Sequence, residues 1–230
     1  MSRLVTVAHG TRVAAGNLVA AELTRQASAL LGASATTSYV ELCTPLVGDV
    51  LGASSVPTVV VPLLLSTGYH VKVDIPAALR GGAGPAALTR PLGPDPVLAG
   101  VQRKRLLEAG ATPGNPVVLV AAGSNDPDAV PDLERAACLL AGVWGGPVLT
   151  ATVSGAGRSI ESAVAEASLY GEVAVSTYLL SPGFFARKVA AAATEAGATV
   201  VSDVLGADEA IAGLIADRYR EARSALRIAA

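Results

Sequence analysis

The chain has 230 residues, 51% of them hydrophobic, with a formal net charge of −2 and only 3% aromatic residues. This balance excludes the basic, aromatic-rich surfaces of nucleic-acid-binding proteins and the basic patches that bind anionic membranes. No apolar run approaches the roughly 20 residues of a membrane span. The first residues lead directly into a strand pattern without a signal peptide, and Cys43 and Cys138 form no CxxC pair. We therefore expect a cytoplasmic protein without disulfides or a zinc ribbon.

In the first half of the chain, short β-branched runs alternate with Ala-rich stretches of helical periodicity. The predicted elements are, in order, strand Leu4–Ala8, helix Ala14–Leu31, strand Thr36–Leu42, helix Pro45–Leu51, strand Val56–Leu65, helix Val73–Leu79, strand Ala87–Pro91 and helix Pro96–Ala109. The long apolar run in the third strand is typical of a strand that is buried on both faces.

A Gly- and Pro-rich segment, Glu108–Pro116, predicts a linker, and the alternation resumes after it. The predicted elements are strand Pro116–Ala121, helix Asp128–Gly142, strand Pro147–Val153, helix Ser159–Ala167, strand Glu172–Leu180, helix Phe184–Ala196, strand Ala198–Ser202 and helix Asp208–Arg223. Such alternation predicts right-handed crossovers and parallel sheets. We therefore predict an α/β fold of two similar open parallel-sheet units that face each other across a cleft, with domains at 1–110 and 116–230.

Two landmarks recur at nearly the same spacing in the two halves. Val5–Thr11 matches Val118–Ser124 with an offset of 113 residues, and Leu65–His70 matches Leu180–Phe185 with an offset of 115. Two separate matches at nearly one offset indicate that the halves are diverged copies of one unit.

The chain has only two histidines, His9 and His70, and each follows an apolar strand in a glycine-containing turn. Open parallel sheets bind ligands beyond the carboxyl ends of their strands, and strands one and three are near neighbours in a common doubly wound order. Both imidazoles are therefore expected to face one crevice. A single histidine in such a position is more often a hydrogen-bonded turn residue, so the prediction depends on the pair.

Glu41 ends the second predicted strand and is the third candidate, although a solvated carboxylate is an equally good interpretation of it alone. Two imidazoles and one carboxylate with open positions would hold a divalent metal loosely. In the second copy, Ala122 replaces His9 and Phe185 replaces His70, and an intermediate offset of 114 places Gly155 opposite Glu41. We therefore predict one active site, on the N-terminal half, with the C-terminal half as the other wall of the cleft.

Three motifs make the sequence similar to the sirohydrochlorin chelatase family, whose members include sirohydrochlorin ferrochelatases and anaerobic-type cobaltochelatases. They are Val7–Arg12 (VAHGTR), Val40–Pro45 (VELCTP) and Val61–Pro76 (VPLLLSTGYHVKVDIP). The third motif is long and specific, and the match extends over Leu4–Leu79. The second half resembles the degenerate repeat of the two-domain members. Thr11 and Thr44 depart from the serine and the acidic residue that are common in the family at these positions.

The resemblance implies a bilobal chelatase, a lyase that inserts a divalent metal into sirohydrochlorin or a related tetrapyrrole for siroheme or cobalamin biosynthesis. Fe²⁺, or alternatively Co²⁺ or Ni²⁺, would be a substrate, with no tightly bound cofactor. The resemblance implies that His9 and His70 are catalytic, that these two residues and Glu41 bind the metal, and that His9 accepts a proton. Because two halves in one chain could replace a dimer of single domains, we expect a monomer with pseudo-dimeric halves. The residues expected to contact the ring are Thr11, Arg12, Thr44, Leu65, Ser66, Thr67, Gly68 and Tyr69.

Two alternatives from other functional classes remain open. A noncatalytic tetrapyrrole or metal carrier would use the same cleft and show stoichiometric binding without turnover. An α/β enzyme with Cys43 as a nucleophile would lose its activity on thiol alkylation.

Overall fold

The structure, a computed structural model, describes residues 2–228, and the first half of the chain alternates strands with helices as predicted. Its elements are β1 (Arg3–Ala8), α1 (Ala14–Leu31), β2 (Ala35–Tyr39), α2 (Val47–Gly52), β3 (Thr58–Pro62), α3 (Ile75–Arg80), β4 (Ala86–Leu88) and α4 (Pro96–Glu108). A π-helical turn over His70–Asp74 leads directly into α3.

The second half repeats this order after the linker. Its elements are β5 (Val117–Ala121), α5 (Ala129–Trp144), β6 (Val148–Thr152), α6 (Ile160–Ala167), a 3₁₀ turn at Ser168–Tyr170, β7 (Ala174–Tyr178), α7 (Phe184–Glu195), β8 (Val200–Val201) and α8 (Glu209–Ile228). Within the described residues, no helix combines the length and the apolar character that crossing a membrane would require.

Each half forms one four-stranded sheet, and all strand pairs are parallel. The orders are β2-β1-β3-β4 and β6-β5-β7-β8, so the predicted parallel α/β architecture is confirmed. The central strands are buried on both faces because helices cover both sides of each sheet; Val5, Val60, Val118 and Val175 are fully buried. At the carboxyl-terminal ends of the strands, the neighbouring strands β1 and β3 form one corner of the first sheet, and β5 and β7 form the corresponding corner of the second. Buried, apolar strands therefore hold both corners in place.

Several strands end before their predicted carboxyl ends, among them β2, β3 and β7. The apolar pattern predicts strands to Leu42, Leu65 and Leu180, whereas the ladders stop at Tyr39, Pro62 and Tyr178. In each case the regular ladder ends while the sequence is still largely apolar. In the first half, the two segments that leave the sheet carry Glu41 and His70.

The compact units differ from the predicted domains 1–110 and 116–230. One unit contains the described residues 2–92 and 207–228, and the other contains 93–206. The linker near residue 110 therefore separates the two sequence copies. The compact units are divided differently, because α4 of the first copy belongs to the second unit and α8 of the second copy belongs to the first unit.

Packing of the last helix of each copy accounts for this difference. The buried face of α4 lies against α5 and β7, where Gln102 Nε2 donates to Ser176 Oγ at 3.0 Å. Helix α8 lies against α1, β3 and β4, and the Tyr219 hydroxyl donates to the Ser2 carbonyl oxygen at 2.7 Å. Each of these helices thus completes the sheet of the other copy, which strand and helix periodicity along the sequence does not reveal.

Candidate metal centre

The two histidines follow the two central strands of the first sheet. Strand β1 pairs with β2 on one side and with β3 on the other, so the connections from β1 and β3 diverge at their carboxyl ends. Open parallel sheets bind ligands at such a point. His9 directly follows β1, and His70 begins the π-helical turn that comes after β3. The predicted proximity of their strands is confirmed by the β1–β3 ladder.

Backbone hydrogen bonds hold the segment after β2 against the segment after β1. The Val40 N–H donates to the Ala8 carbonyl at 2.9 Å, and the Glu41 N–H donates to the His9 carbonyl at 3.1 Å. Gly10 has φ +97°, and a Cβ at this position would overlap the Glu41 carbonyl oxygen. Because only glycine accepts both this conformation and this close approach, Gly10 allows Glu41 to lie beside His9.

Three potential metal donors converge at this corner. His9 Nε2 lies 3.4 Å from Glu41 Oε1, and the His9 and His70 rings have centroids 4.9 Å apart at an interplanar angle of 83°. One donor atom from each of the three residues lies within 4.8 Å of the others. The side chains of His9 and Glu41 are about half exposed, at 47% and 51%, and that of His70 is 30% exposed. The structure thus brings together the residues that the sequence analysis selected as metal ligands.

Each histidine has an oxygen partner for Nδ1. His9 Nδ1 lies 3.0 Å from the Gly10 carbonyl oxygen, and His70 Nδ1 lies 2.6 Å from Asp74 Oδ2. A proton on Nδ1 serves both contacts and leaves the lone pair of Nε2 available in each ring. The partners differ in charge, because His9 faces a neutral carbonyl and His70 faces a carboxylate.

Asp74 is a candidate functional residue that the sequence analysis missed. It lies four residues after His70 in the π-helical turn, which places both side chains on one face. A carboxylate on the second nitrogen of a ligating histidine fixes the ring and makes the first nitrogen a stronger donor. The His-x-x-x-Asp spacing after the third predicted strand was the available signal.

Tyr39 is a buried phenol close to Glu41 in the sequence. It lies at the end of β2 and is buried, and its burial, followed by the proximity of Cys43, raises the pKa of its phenol. The phenol therefore stays protonated near neutral pH and does not act as a proton acceptor.

The donor set determines which ions fit. Two imidazole nitrogens and one carboxylate oxygen suit divalent iron, cobalt, nickel or zinc better than calcium or magnesium. Three protein donors on a half-exposed surface leave coordination positions for water or for a second ligand. The arrangement can therefore bind a divalent ion without enclosing it.

The residues predicted to contact a ring lie on three segments, after β1, β2 and β3. Arg12 and Thr44 are exposed, and the loop Leu65–Gly68 is half-buried. Tyr69 is 62% exposed, and its ring centroid lies 6.3 Å from that of His70. The Thr11 hydroxyl accepts a hydrogen bond from the Val13 N–H at 3.1 Å, so it also shapes the start of α1. Contact of these residues with a ring stays a prediction.

The corresponding corner of the second sheet keeps the backbone but not the donors. Ser154 N–H donates to the Ala122 carbonyl at 3.1 Å, as Glu41 N–H does to His9. The ladders pair Ala8 with Tyr39 and Ala121 with Thr152, so Ser154 is the counterpart of Glu41, and the predicted counterpart, Gly155, was wrong by one residue. Among the residues that the structure describes, no second group of three His, Cys, Asp or Glu donors converges in this way.

Comparison with protein families gives two matches to one model. The CbiX family model matches residues 3–109 and again residues 116–222. The matched stretches agree with the two predicted sequence copies, which confirms the internal duplication. A search of curated proteins gave no significant match.

Comparison with solved structures gives similar proteins over nearly the whole chain. SirB from Bacillus subtilis with Fe³⁺ is 25% identical, with 96% of each chain covered and a TM-score of 0.82. The sirohydrochlorin chelatase SirB from Bacillus subtilis subspecies spizizenii, in complex with cobalt, is 25% identical, with 97% of this chain and 96% of that chain covered and a TM-score of 0.77. A CbiX described as the terminal enzyme of siroheme biosynthesis in denitrifying bacteria shares the fold, at 21% identity, 96% and 99% coverage and a TM-score of 0.74.

Proposed function

The chain belongs to the CbiX family, and from this membership and the donor cluster we propose that it is a chelatase that inserts a divalent metal into sirohydrochlorin. The single observation that carries the proposal is the convergence of His9, Glu41 and His70 within 4.8 Å at the carboxyl ends of β1–β3. The similarity to SirB structures that contain Fe³⁺ and cobalt supports the same chemistry.

The metal is a substrate in this proposal, and the donors hold it only until transfer. Imidazole nitrogens replace some of the water around the ion, and the open side of the cluster gives the ring access to it. We propose Fe²⁺ as the ion, with Co²⁺ as the alternative, because this donor set suits both. The product would then enter siroheme or cobalamin biosynthesis.

Insertion also requires removal of two N–H protons from the ring. His9 is the proposed acceptor of the first proton, on Nε2 once the ion has left this atom, because the side chain is about half exposed and its Nε2 lies 3.4 Å from Glu41, whose carboxylate stabilises the imidazolium that forms. The second proton passes to solvent water at the open side of the cluster. His70 is the proposed anchor, because Asp74 fixes its ring at 2.6 Å. The two histidines thus have different tasks that follow from the different partners of their Nδ1 atoms.

The test is anaerobic incubation of the purified protein with sirohydrochlorin and Fe²⁺, Co²⁺ or Ni²⁺ in turn. We expect catalytic insertion with more than one turnover, followed by the change in the ring's visible absorbance. Rates above those of the uncatalysed reaction with at least one ion support the proposal.

A noncatalytic carrier is the competing function, and the exposed, open donor cluster is compatible with it. A carrier binds one equivalent of ring or metal and leaves the uncatalysed insertion rate unchanged. Saturation at one equivalent without turnover, for all three ions, would replace the chelatase proposal by the carrier.

A further inference from the structure

The turn after Glu41 has a backbone conformation that leucine rarely adopts. Leu42 has φ +65°, and it is the one non-glycine residue with positive φ in the described part of the chain. Cys43 N–H donates to the Glu41 carbonyl oxygen at 2.8 Å, which makes residues 41–43 a γ-turn centred on Leu42. A γ-turn with positive φ is rare and strained, since the side chain crowds its own backbone.

The second copy has glycine at the corresponding position, and its backbone also has positive φ there, although Ala156 N–H donates to the Ser124 carbonyl oxygen at 3.1 Å instead of closing a γ-turn. Gly155 is the counterpart of Leu42 by the strand ladders and has φ +73°. Glycine adopts this conformation without steric cost. In the second copy the backbone of Ser124 lies so close to Gly155 that a Cβ at this position would overlap it. In the first copy the leucine side chain projects outward and is 50% exposed. The positive φ at this position is thus met by glycine in the second copy, whereas the first copy has a strained leucine.

Packing of the core does not account for this leucine, because half of its surface is open. Its exposed apolar surface directly follows a metal donor, just as the exposed ring of Tyr69 directly precedes His70. Backbone strain that persists beside a functional cluster indicates a role for the side chain it presents. An apolar surface next to polar donors suits a ligand whose apolar face contacts the surface while its metal-binding centre lies over the donors.

We propose that Leu42 is a substrate-binding residue that packs against the face of the tetrapyrrole ring; this rests on the chelatase function proposed above. The ion passes from the three donors to the centre of the ring, so the ring face must lie over the donors. Leu42 is adjacent to Glu41 and therefore lies under the ring when the ion is transferred. Its contact displaces water from the ring face and orients the ring, and the γ-turn keeps the side chain outward.

The test uses Leu42→Gly and Leu42→Asn, which remove the apolar side chain and relieve the strain together. Asn tolerates positive φ and, unlike Gly, adds little freedom to the unfolded chain. We expect an unchanged or higher melting temperature and Co²⁺ affinity within about twofold of wild type. We expect KM for sirohydrochlorin, and Kd measured without metal, to rise about tenfold through the lost apolar contact, with a smaller change in kcat.

Leu30→Asn is the matched control, because Leu30 is 55% exposed and lies near the end of α1, away from the carboxyl ends of the strands. It should leave KM and Kd unchanged. Wild-type KM and Kd in both Leu42 variants would overturn the assignment while leaving the chelatase proposal intact. A lower melting temperature with unchanged KM would show a structural leucine and overturn it as well. Failure of the wild-type protein to bind sirohydrochlorin would overturn both.

Discussion

The two halves of the chain build the same corner from the same backbone and fill it with different side chains. In both halves a glycine with positive φ, Gly10 or Gly123, lies where a Cβ would overlap the carbonyl oxygen of the neighbouring segment. In both, the residue before that glycine accepts a hydrogen bond of 3.1 Å from this segment. The glycine and this hydrogen bond together form a backbone frame that both halves share. The first half places His9, Glu41 and His70 on this frame, and the second places Ala122, Ser154 and Phe185.

The difference separates the requirements of the fold from those of the chemistry. The glycine and the backbone hydrogen bonds are common to both corners, so they are required for the segment after one strand to pack against the segment after its neighbour. The donors occur in one corner only, together with Asp74, whose counterpart by the β1–β3 and β5–β7 ladders is the fully buried Val189. Substitutions matched between the halves can therefore test each contribution separately.

Loss of the donors should have the largest effect. We expect His9→Ala and His70→Ala to lower kcat for metal insertion by about a hundredfold or more, since each variant removes a proposed metal ligand and His9→Ala also removes the proposed proton acceptor. Absorbance assays measure the rate, and circular dichroism checks the fold. The matched control is Phe185→Ala, which changes the position in the second half that corresponds to His70 and should retain metal affinity. Near-wild-type rates in both histidine variants would eliminate the proposed mechanism.

Substitution of the two frame glycines should separate stability from activity. We expect Gly10→Ala and Gly123→Ala to destabilise the protein by similar amounts, about 2 kcal/mol each, through backbone strain and the displaced carbonyl. Gly10→Ala should in addition displace Glu41 and weaken Co²⁺ binding about tenfold, whereas Gly123→Ala should not. Denaturant unfolding and metal titration make the comparison. Equal losses of metal affinity would show that the two corners are not independent.

Removal of the Asp74 carboxylate should have a moderate effect. We expect Asp74→Asn to lower metal affinity or turnover about tenfold, because the amide still accepts a hydrogen bond from His70 Nδ1 but lacks the charge. Asp74→Ala should lose more, because the ring is no longer held. Cobalt absorption spectra of the metal-loaded variants report the changed ligand field, which a merely structural role would leave unaltered. Identical spectra and rates in all three proteins would assign Asp74 to the π-helical turn alone.

The sequence predicted those parts of the fold and site that depend on short-range pattern. Alternating apolar strands and helices gave the parallel sheets, and histidines at strand ends gave the donor set, because ligand sites in such sheets follow the strands. The exchange of α4 and α8 between units was missed because both helices have ordinary periodicity, and only long-range packing decides their partner. Leu42 was assigned to a strand because its apolar side chain continues the pattern, whereas hydrogen bonds from Glu41 and Cys43 turn the chain away.

The smallest effect is expected from transferring the donors to the second half. The variant Ala122→His, Ser154→Glu, Phe185→His puts the three donor types on a frame whose hydrogen bonds already match those of the first corner. We expect a second Co²⁺ equivalent, bound more weakly than the first because Val189 supplies no carboxylate to orient the new histidine. Isothermal titration would measure this equivalent, with Ala122→Ser, Ser154→Ala, Phe185→Leu as the control. If no second equivalent binds, the frame alone does not position donors, and the loop that carries His70 must supply the missing geometry.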